Sequence, residues 1–423
     1  MTYSQATKAE LSVWLNSLRR VYASVLEQKL SLDLSRGKPT AAQLDLSMPM
    51  LDEACVKKIR AKDGLDCRNY GLALGLPEMR AFWSDLTGID AENIVVGGNS
   101  SLNMMYDTVA RAMLYGVAGS VRPWCREERI CFLCPAPGYD RHFAICESLG
   151  IEMIPVCMRA DGPDMDEVER LVKDPAVKGI WCVPKYSNPT GITFSDEVVR
   201  RLARMETGAP DFRIFWDNAY MVHDIAEEGD SLLDIFAEAK AVGNEDRIFF
   251  FTSSSKITFP GAGVAMMAMS RRNLDIVAPI IGVQTIGHDK LNQLRHLAFL
   301  PDKAAVTALM KKHASYLGER FRIVLDTLSA DLGGLGIATW TEPRGGYFVS
   351  LDVLPGTAKR VYTLCAEAGV TLTKVGATFP YGRDEKDQNL RLAPSYPTTE
   401  ELRTAMSVLT LAVRIAALEK LLS

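Results

Sequence analysis

The chain has 423 residues, of which 48% are hydrophobic and 24% are charged, and its formal net charge is −4. This length exceeds the ~250–300 residues at which a single hydrophobic core usually stops growing, so we expect two domains. The slightly acidic balance gives no electrostatic reason to expect nucleic acid or an anionic membrane as a partner.

The nine cysteines include one CxxC spacing, Cys131 and Cys134, which lies inside an apolar run, and most of the others stand singly. That usage is typical of buried thiols in a reducing compartment. The first residues lack the charged-then-apolar pattern of a signal peptide, and no apolar stretch reaches the ~18–20 residues of a membrane span. We therefore expect a cytoplasmic protein, without membrane or nucleic-acid partners, and we predict no metal site.

In chain order, residues 6–29 carry apolar side chains at helical spacing, which predicts an amphipathic helix, and an extended segment follows at 32–39. Between about 50 and 300, short apolar runs alternate with helical stretches, a pattern that predicts βαβ units and a mostly parallel sheet. The seven predicted strands are 94–96, 129–133, 152–156, 179–183, 213–216, 248–251 and 263–269.

Beyond residue 300 the pattern changes to long helical stretches with short strands between them. The helices are predicted at 304–328, 357–368 and 399–422, and the strands at 338–340, 346–351 and 389–392. We therefore predict an α/β fold. A large domain at 50–300 has a seven-stranded sheet between helices, and a smaller α+β domain combines 1–49 with 301–423.

A lysine follows the predicted strand at 248–251, in the tetrapeptide Ser253-Ser254-Ser255-Lys256. A side chain just past the end of a buried strand can project into the crevice where open α/β sheets bind ligands. Burial there lowers the pKa of the lysine and makes its amine available for imine formation. For this tetrapeptide alone, a surface lysine after a strand is the alternative.

Three further segments carry polar side chains at or near predicted strands. The turn at 188–191 (Asn-Pro-Thr-Gly) follows one strand, Asp217 and Tyr220 follow the next, and Arg391 lies near the C-terminus. Each has a plainer explanation: an ordinary turn, a helix cap and a surface charge, respectively. Their order along the chain, together with Lys256, is hard to obtain by chance.

With these segments the chain resembles the fold-type-I enzymes of pyridoxal 5′-phosphate (PLP), specifically the class I aminotransferases of the aspartate aminotransferase kind. The resemblance extends from about residue 32 to 397. It implies transfer of an amino group between an amino acid and a 2-oxo acid, with aspartate favoured as the donor and 2-oxoglutarate or glutamate as its partner.

The resemblance also implies roles for single residues. Lys256 would hold PLP as a Schiff base and move the proton, and Asp217 would pair with the pyridine nitrogen. Asn188 and Tyr220 would hydrogen-bond the phenolic oxygen of the cofactor. Arg391 would bind the α-carboxylate of the substrate, with Asn188 beside it.

The chemistry requires the same residue types. PLP stores carbanion electrons only while its ring nitrogen is protonated. A carboxylate ~3 Å away contributes roughly 5 kcal/mol to that protonation at an effective dielectric constant of ~20. A planar, permanently charged guanidinium orients an α-carboxylate better than an ammonium group does.

By the same resemblance, the phosphate of PLP would lie at 95–101, where a strand meets a helix. Backbone N–H groups and the positive helix end favour a dianion there. The hydroxyls that would add contacts are those of Ser100, Ser101, Ser253 and Ser255. Tyr70 matches the family tyrosine that reaches the phosphate of the neighbouring subunit, which implies a homodimer with shared active sites.

One departure from the family pattern concerns the phosphate. The family usually has an arginine about eight residues after the lysine, but residues 257–264 contain none. We therefore expect a divergent subgroup. In it, the serines, the helix terminus and a distant basic residue compensate, or the cofactor is held more weakly.

Tyr139 corresponds to the ring that stacks on PLP in the family, although packing of this ring against the sheet is the alternative. Arg141 lies two residues further on, and Arg36 and Gly37 belong to the segment that lines the entrance in the family. Either arginine could receive a second substrate carboxylate, or either could be a plain surface charge. Three aromatic side chains could equally shape an aromatic pocket: Trp14, Phe259 and Tyr347.

Other functions stay open on the sequence alone. An aromatic amino acid or kynurenine-type aminotransferase, or a PLP-dependent lyase or decarboxylase, would use the same scaffold. A transcription regulator with an aminotransferase-like domain is disfavoured, because residues 1–50 supply one helix and no basic helix-turn-helix. An unrelated nucleotide-binding protein is disfavoured because GxGxxG and Walker motifs are absent from the sequence.

Overall fold

A computed structural model describes residues 2–423, and its longer elements follow the predicted order. The strands are β1 (Leu32–Asp33), β2 (Ile94–Val96), β3 (Cys131–Ala136), β4 (Glu152–Arg159), β5 (Gly162–Pro163), β6 (Val177–Cys182), β7 (Arg213–Asp217), β8 (Ile248–Ser253), β9 (Ala265–Met269), β10 (Ala338–Trp340), β11 (Val349–Val353), β12 (Val370–Thr371) and β13 (Asn389–Leu392). The helices are α1 (Lys8–Leu26), α2 (Ala41–Asp45), α3 (Glu53–Val56), α4 (Pro77–Thr87), α5 (Ser101–Tyr115), α6 (Asp140–Ser148), α7 (Met165–Leu171), α8 (Asp196–Arg204), α9 (Ile235–Lys240), α10 (Arg271–Gln284), α11 (Lys290–Phe299), α12 (Lys303–Leu332), α13 (Ala358–Glu367) and α14 (Thr399–Leu422).

The main sheet has the strand order β2-β9-β8-β7-β6-β3-β4-β5. Strands β4, β3, β6, β7 and β8 are parallel, whereas β9 runs antiparallel to both β8 and β2. All seven predicted strands are present, and the α/β class with a mostly parallel sheet is confirmed. The predicted strand number is too low by one, because β5 is a two-residue strand antiparallel to β4 that is too short to show a period.

Both faces of this sheet are buried. On one face, Phe132, Phe215 and Trp181 form an aromatic cluster, with the rings of Trp181 and Phe215 4.6 Å apart. On the other face, Ile180 and Ile214 belong to a second apolar cluster. Because helices cover both sides, the strands are continuous apolar runs and do not alternate between apolar and polar residues.

The carboxyl ends of β6, β7 and β8 lie side by side. Cys182 is paired with Trp216, and Asp217 is paired with Phe251. The polar side chains that follow these strands therefore meet at one edge of the sheet, where open parallel sheets bind ligands.

The N-terminal segment joins the C-terminal third of the chain. Strand β1 pairs in parallel with β12, α1 packs against α14, and β10, β11 and β13 form an antiparallel sheet nearby. This pairing is consistent with a small domain built from both ends of the chain. The division at residues 49 and 300 stays a prediction.

The first helix is shorter than the predicted range of 6–29. The Thr7 hydroxyl accepts a hydrogen bond from the Glu10 amide (3.3 Å), and the Glu10 carboxylate accepts one from the Thr7 amide (2.8 Å). This capping box starts α1 at Lys8. The helix ends at Leu26, before Lys29 adopts a left-handed φ of 49°.

The nine cysteines form no disulfide within residues 2–423. Six of them are buried, as their apolar neighbours predict, whereas Cys125 and Cys157 are exposed. Within the same range, every helix is too short or too polar to cross a membrane.

Candidate active site

The edge formed by β6, β7 and β8 borders a cavity that collects most of the predicted site residues. Its lining consists of Ser100, Ser101, Leu102, Met105, Tyr139, Val183, Asn188, Asp217, Ala219, Tyr220, Ser253, Ser255 and Lys256. Nine of these residues were singled out in the sequence. They come from five separate segments, which the sheet topology brings together.

Lys256 follows β8 in a tight turn, in which the amides of Ile257 and Thr258 both donate to the Ser254 carbonyl at 2.9 Å. Its amine lies 4.9 Å from the centre of the Tyr220 ring. Burial lowers the pKa of Lys256, and the nearby charge of Asp217 opposes this effect in part. The amine is therefore more easily deprotonated than that of an ordinary lysine, as a nucleophile requires.

Asp217 ends β7 with two carboxylate oxygens in different environments. Oδ2 lies 3.0 Å from Nε2 of His142, whose ring stacks on Trp181 at 4.3 Å. Oδ1 is buried and has no hydrogen-bond partner within the described chain. Because an unpaired buried acceptor is costly, this oxygen indicates a missing donor at the cavity.

His142 is a site residue to which the sequence reasoning gave no role. It lies in the first turn of α6, three residues after Tyr139, which precedes the helix, and the two rings are 4.9 Å apart. That spacing was the available signal, but it does not show that the imidazole reaches Asp217.

Arg391 projects from β13 towards Asn188. Its Nη1 donates to Asn188 Oδ1 at 3.3 Å and to Asp140 Oδ1 at 2.9 Å, and its guanidinium lies 5.0 Å above the centre of the Phe348 ring. Gly37 packs against that ring so closely that a Cβ at this position would collide with it. The lack of a side chain at Gly37 thus leaves room for the ring beneath the guanidinium.

The serines form the opposite side of the cavity, at the start of α5. The Ser100 hydroxyl caps this helix by accepting from the Leu102 amide at 3.2 Å. Ser253 donates to Ser255, and Ser255 donates to the Asn99 carbonyl, both at 3.0 Å. These bonds join the loop after β8 to a helix N-terminus, which favours an anion.

The position eight residues after Lys256 is occupied by Val264, which is buried and whose amide donates to Ser254 Oγ at 2.9 Å. Within the part of the chain that the structure describes, Lys256 is the only cationic residue in the cavity lining. No distant arginine of this chain therefore replaces the usual one in the lining.

Five predicted residues lie outside the cavity lining: Arg391, whose contacts are given above, and Arg36, Gly37, Tyr70 and Arg141. Arg36 forms an ion pair with Asp33 (Nε to Oδ2, 2.7 Å), Arg141 and Tyr70 are exposed, and Gly37 contacts Phe348 instead. Tyr70 is 77% exposed and makes no contact with the serines of its own chain's cavity.

The four aromatic side chains considered in the sequence lie in different environments. Tyr139 lines the cavity and is buried, which raises the pKa of its phenol. Trp14 packs against Tyr3 in the core around α14, with the rings 5.4 Å apart, and does not line the cavity. Tyr347 is buried beside Tyr220, and its hydroxyl accepts from Gln43 Nε2 at 3.3 Å. Phe259 is absent from the cavity lining.

The chain is similar to known aminotransferases over nearly its whole length. Residues 6–423 match the family model described as aspartate amino-transferase. A putative aminotransferase of Mycolicibacterium smegmatis is 47% identical over 427 residues, covering 100% of this chain and 99% of that protein. The aspartate aminotransferase of Corynebacterium glutamicum is 46% identical over 409 residues, covering 97% and 95%.

A solved structure supports the same relationship. The crystal structure of an aspartate transaminase from Corynebacterium glutamicum superposes with a TM-score of 0.97 at 44% identity, covering 100% of this chain and 99% of that one. The family and the aminotransferase activity predicted from the sequence are thereby confirmed. The chain belongs to the aspartate aminotransferase family of the fold-type-I PLP class and is an aminotransferase.

Proposed function

We propose that this aminotransferase moves the amino group of aspartate to 2-oxoglutarate, with PLP carried by Lys256. The observation that carries the proposal is the shared cavity of Lys256 and the unpaired Asp217 Oδ1. Close relatives named for aspartate support the choice of donor.

The residues of the cavity fit PLP in three respects. Asp217 Oδ1 needs a donor, and a protonated ring nitrogen is one. Lys256 presents an amine whose pKa is lowered by burial. The start of α5 and the hydroxyls of Ser100, Ser101, Ser253 and Ser255 offer an anion site for the phosphate.

When bound, PLP supplies a ring that stores the electrons released from the substrate's Cα–H bond. Asp217 would keep a proton on the ring nitrogen, and His142 holds the carboxylate by its other oxygen. Asn188 and Tyr220 would hold the phenolic oxygen, and the buried Tyr139 ring lines the same cavity. Lys256 would act as the base that takes the proton from the substrate Cα and as the acid that gives it up again.

Arg391 binds the α-carboxylate of the substrate. For the second carboxylate of aspartate, Arg141 is the better candidate of the two predicted arginines, because Arg36 is engaged by Asp33. Arg141 is exposed and forms no ion pair within residues 2–423. Arg36 also lies 5.4 Å from the Tyr396 ring, which further restricts its side chain.

An aromatic donor is less well supported. Trp14 lies in the core around α14, Tyr347 is fully buried with its hydroxyl bonded to Gln43, and neither ring lines the cavity of Lys256.

We also propose a homodimer in the cytoplasm, in which Tyr70 reaches the phosphate of the partner subunit. An exposed apolar face supports this, because contiguous exposed apolar side chains mark interaction sites. Its members are Tyr70, Leu72, Tyr106, Val283 and Ile286. They are held close together, since Gly287 packs against Gly71 and the Gln284 amide donates to Asp107 at 2.8 Å.

The test of the donor is an assay of the PLP-loaded protein with 2-oxoglutarate and either aspartate, phenylalanine or kynurenine. We expect aspartate to give the highest kcat/KM and Lys256→Ala to abolish turnover. An aromatic donor that exceeds aspartate would overturn the assignment of substrate.

A further inference from the structure

Arg391 is already bonded to an anionic side chain of its own chain. Asp140 Oδ1 lies 2.9 Å from Arg391 Nη1, and Asn188 Oδ1 lies 3.3 Å from the same nitrogen. The Arg391 side chain is 10% exposed and that of Asp140 is 33% exposed. A carboxylate of the protein thus stands beside the guanidinium proposed to hold the substrate's carboxylate.

The other edge of the guanidinium has no hydrogen-bond partner within the described chain. Nε is buried and has no hydrogen-bond partner, and Nη2 forms no hydrogen bond, as far as residues 2–423 are concerned. Nε and Nη2 present two parallel N–H groups, the fork that binds a carboxylate in a bidentate manner. A bound carboxylate on this edge would supply the partner that the buried Nε lacks.

The remaining contacts fix the plane of the guanidinium but not its rotation within that plane. The Phe348 ring lies beneath it at 5.0 Å, and Ser350 of β11 is paired with Arg391 across the antiparallel sheet. The hydrogen bonds of Nη1 to Asp140 and Asn188 fix this rotation. Asp140 is the first residue of α6 and directly follows Tyr139, so the residue that holds the guanidinium is the chain neighbour of the proposed stacking ring.

We propose that Asp140 is a positioning residue with two effects. It holds the Nη1 corner of Arg391 so that the Nε/Nη2 edge faces the substrate, and its charge weakens the binding of the substrate's carboxylate by repulsion. This inference rests on the proposed role of Arg391. It concerns the α-carboxylate that every amino acid carries, and therefore does not depend on aspartate being the donor.

Two substitutions of Asp140 distinguish its positioning of Arg391 from its repulsion of the substrate's carboxylate. Asp140→Asn keeps an acceptor for Nη1 but removes the charge, whereas Asp140→Ala removes both. The substrate's carboxylate is bound equally well in the ground state and in the transition state. Repulsion between Asp140 and that carboxylate therefore raises KM and the inhibition constants of carboxylates. A misoriented substrate reacts more slowly, which lowers kcat.

The experiment measures kcat and KM of the PLP-loaded enzyme for an amino acid that it turns over, and the inhibition constant of propionate, a carboxylate without an amine. For Asp140→Asn we expect KM and the propionate constant to fall about three- to tenfold. For Asp140→Ala we expect kcat to fall about tenfold further than for Asp140→Asn. Glu147→Gln, an exposed change of the same charge on the same helix, serves as the matched control.

The proposal is overturned if Asp140→Asn raises the propionate constant, or if Asp140→Ala behaves like Glu147→Gln. Arg391→Lys distinguishes this failure from a failure of the proposed function. If Arg391→Lys binds propionate as well as the unaltered protein does, the role of Arg391 is wrong and the inference about Asp140 fails with it. If Arg391→Lys loses propionate binding, the role of Arg391 stands, and the Asp140 variants alone decide whether the inference about Asp140 holds.

Discussion

His142 Nε2 lies 3.0 Å from Asp217 Oδ2, and this contact leaves Asp217 Oδ1 as the carboxylate oxygen without a protein partner. His142 is held in turn by the Trp181 ring, which stacks on it at an interplanar angle of 10°. One oxygen of the carboxylate is thus anchored and the other is available. A carboxylate that is held by one oxygen and unpaired at the other is suited to keep a cofactor nitrogen protonated.

The anchoring of Asp217 can be tested with His142→Phe. Phenylalanine keeps a ring on Trp181 but cannot bond to Asp217, so Oδ2 loses its protein partner and neither carboxylate oxygen is held. We expect kcat/KM to fall roughly ten- to hundredfold, which corresponds to the ~1–3 kcal/mol cost of an unsatisfied buried group. The measurement is steady-state kinetics beside Asp217→Asn, for which the loss should be larger. Unchanged kcat/KM in His142→Phe would show that the contact has no role.

The pKa of Lys256 gives a prediction on pH. The neutral amine attacks the aldehyde of PLP, so the rate at which the PLP-free protein takes up PLP should rise with pH through this pKa. Because burial lowers the pKa, the midpoint should lie below the ordinary value of 10.5. In Asp217→Asn the midpoint should fall further, since the charge of Asp217 raises the pKa. Stopped-flow absorbance measures the midpoint, with an N-acetylated lysine as the reference amine; a protein midpoint at or above that of the reference contradicts the account.

The serine side of the cavity predicts how tightly PLP is held. Ser255 contributes a hydroxyl beside the start of α5, and Ser255→Ala should weaken PLP by about three- to tenfold, the usual effect of losing one hydrogen bond. Equilibrium dialysis of PLP measures this, with Ser407→Ala on the exposed face of α14 as the control. Equal PLP affinity in both variants would place the phosphate elsewhere.

The missing arginine cannot be restored by a single substitution. Val264 is 2% exposed and packs in the core beneath the sheet, so Val264→Arg would bury an unpaired charge. We expect the free energy of unfolding to fall by about 3 kcal/mol or more, without a gain in PLP affinity. Thermal unfolding and PLP titration check this. A variant of unchanged stability that binds PLP more tightly would show that the site accepts an arginine after all.

Part of the site could be predicted because it depends on local order. Lys256 and Asp217 each follow a continuous apolar strand, and the carboxyl ends of parallel strands meet at one edge. The pair of Asp140 and Arg391 could not be predicted, because its members are 251 positions apart in the sequence and only the tertiary structure brings them together.

The same limit applies to Arg36. Its sequence neighbourhood indicates an entrance, but its charge is taken by Asp33, three residues earlier in the extended segment. A sequence pattern does not show whether a charged side chain is free. Likewise, the two residues of β5 are too few for any apolar period, and therefore this strand was missed.

The most direct test of the central claim, that Lys256 carries PLP for amino-group transfer, is an absorbance spectrum of the purified PLP-loaded protein before and after aspartate. Lys256→Ala is measured alongside. The account predicts a band near ~420 nm that moves towards ~330 nm with aspartate and that is absent or altered in the variant. A protein that shows no lysine-dependent band after loading with PLP would contradict it.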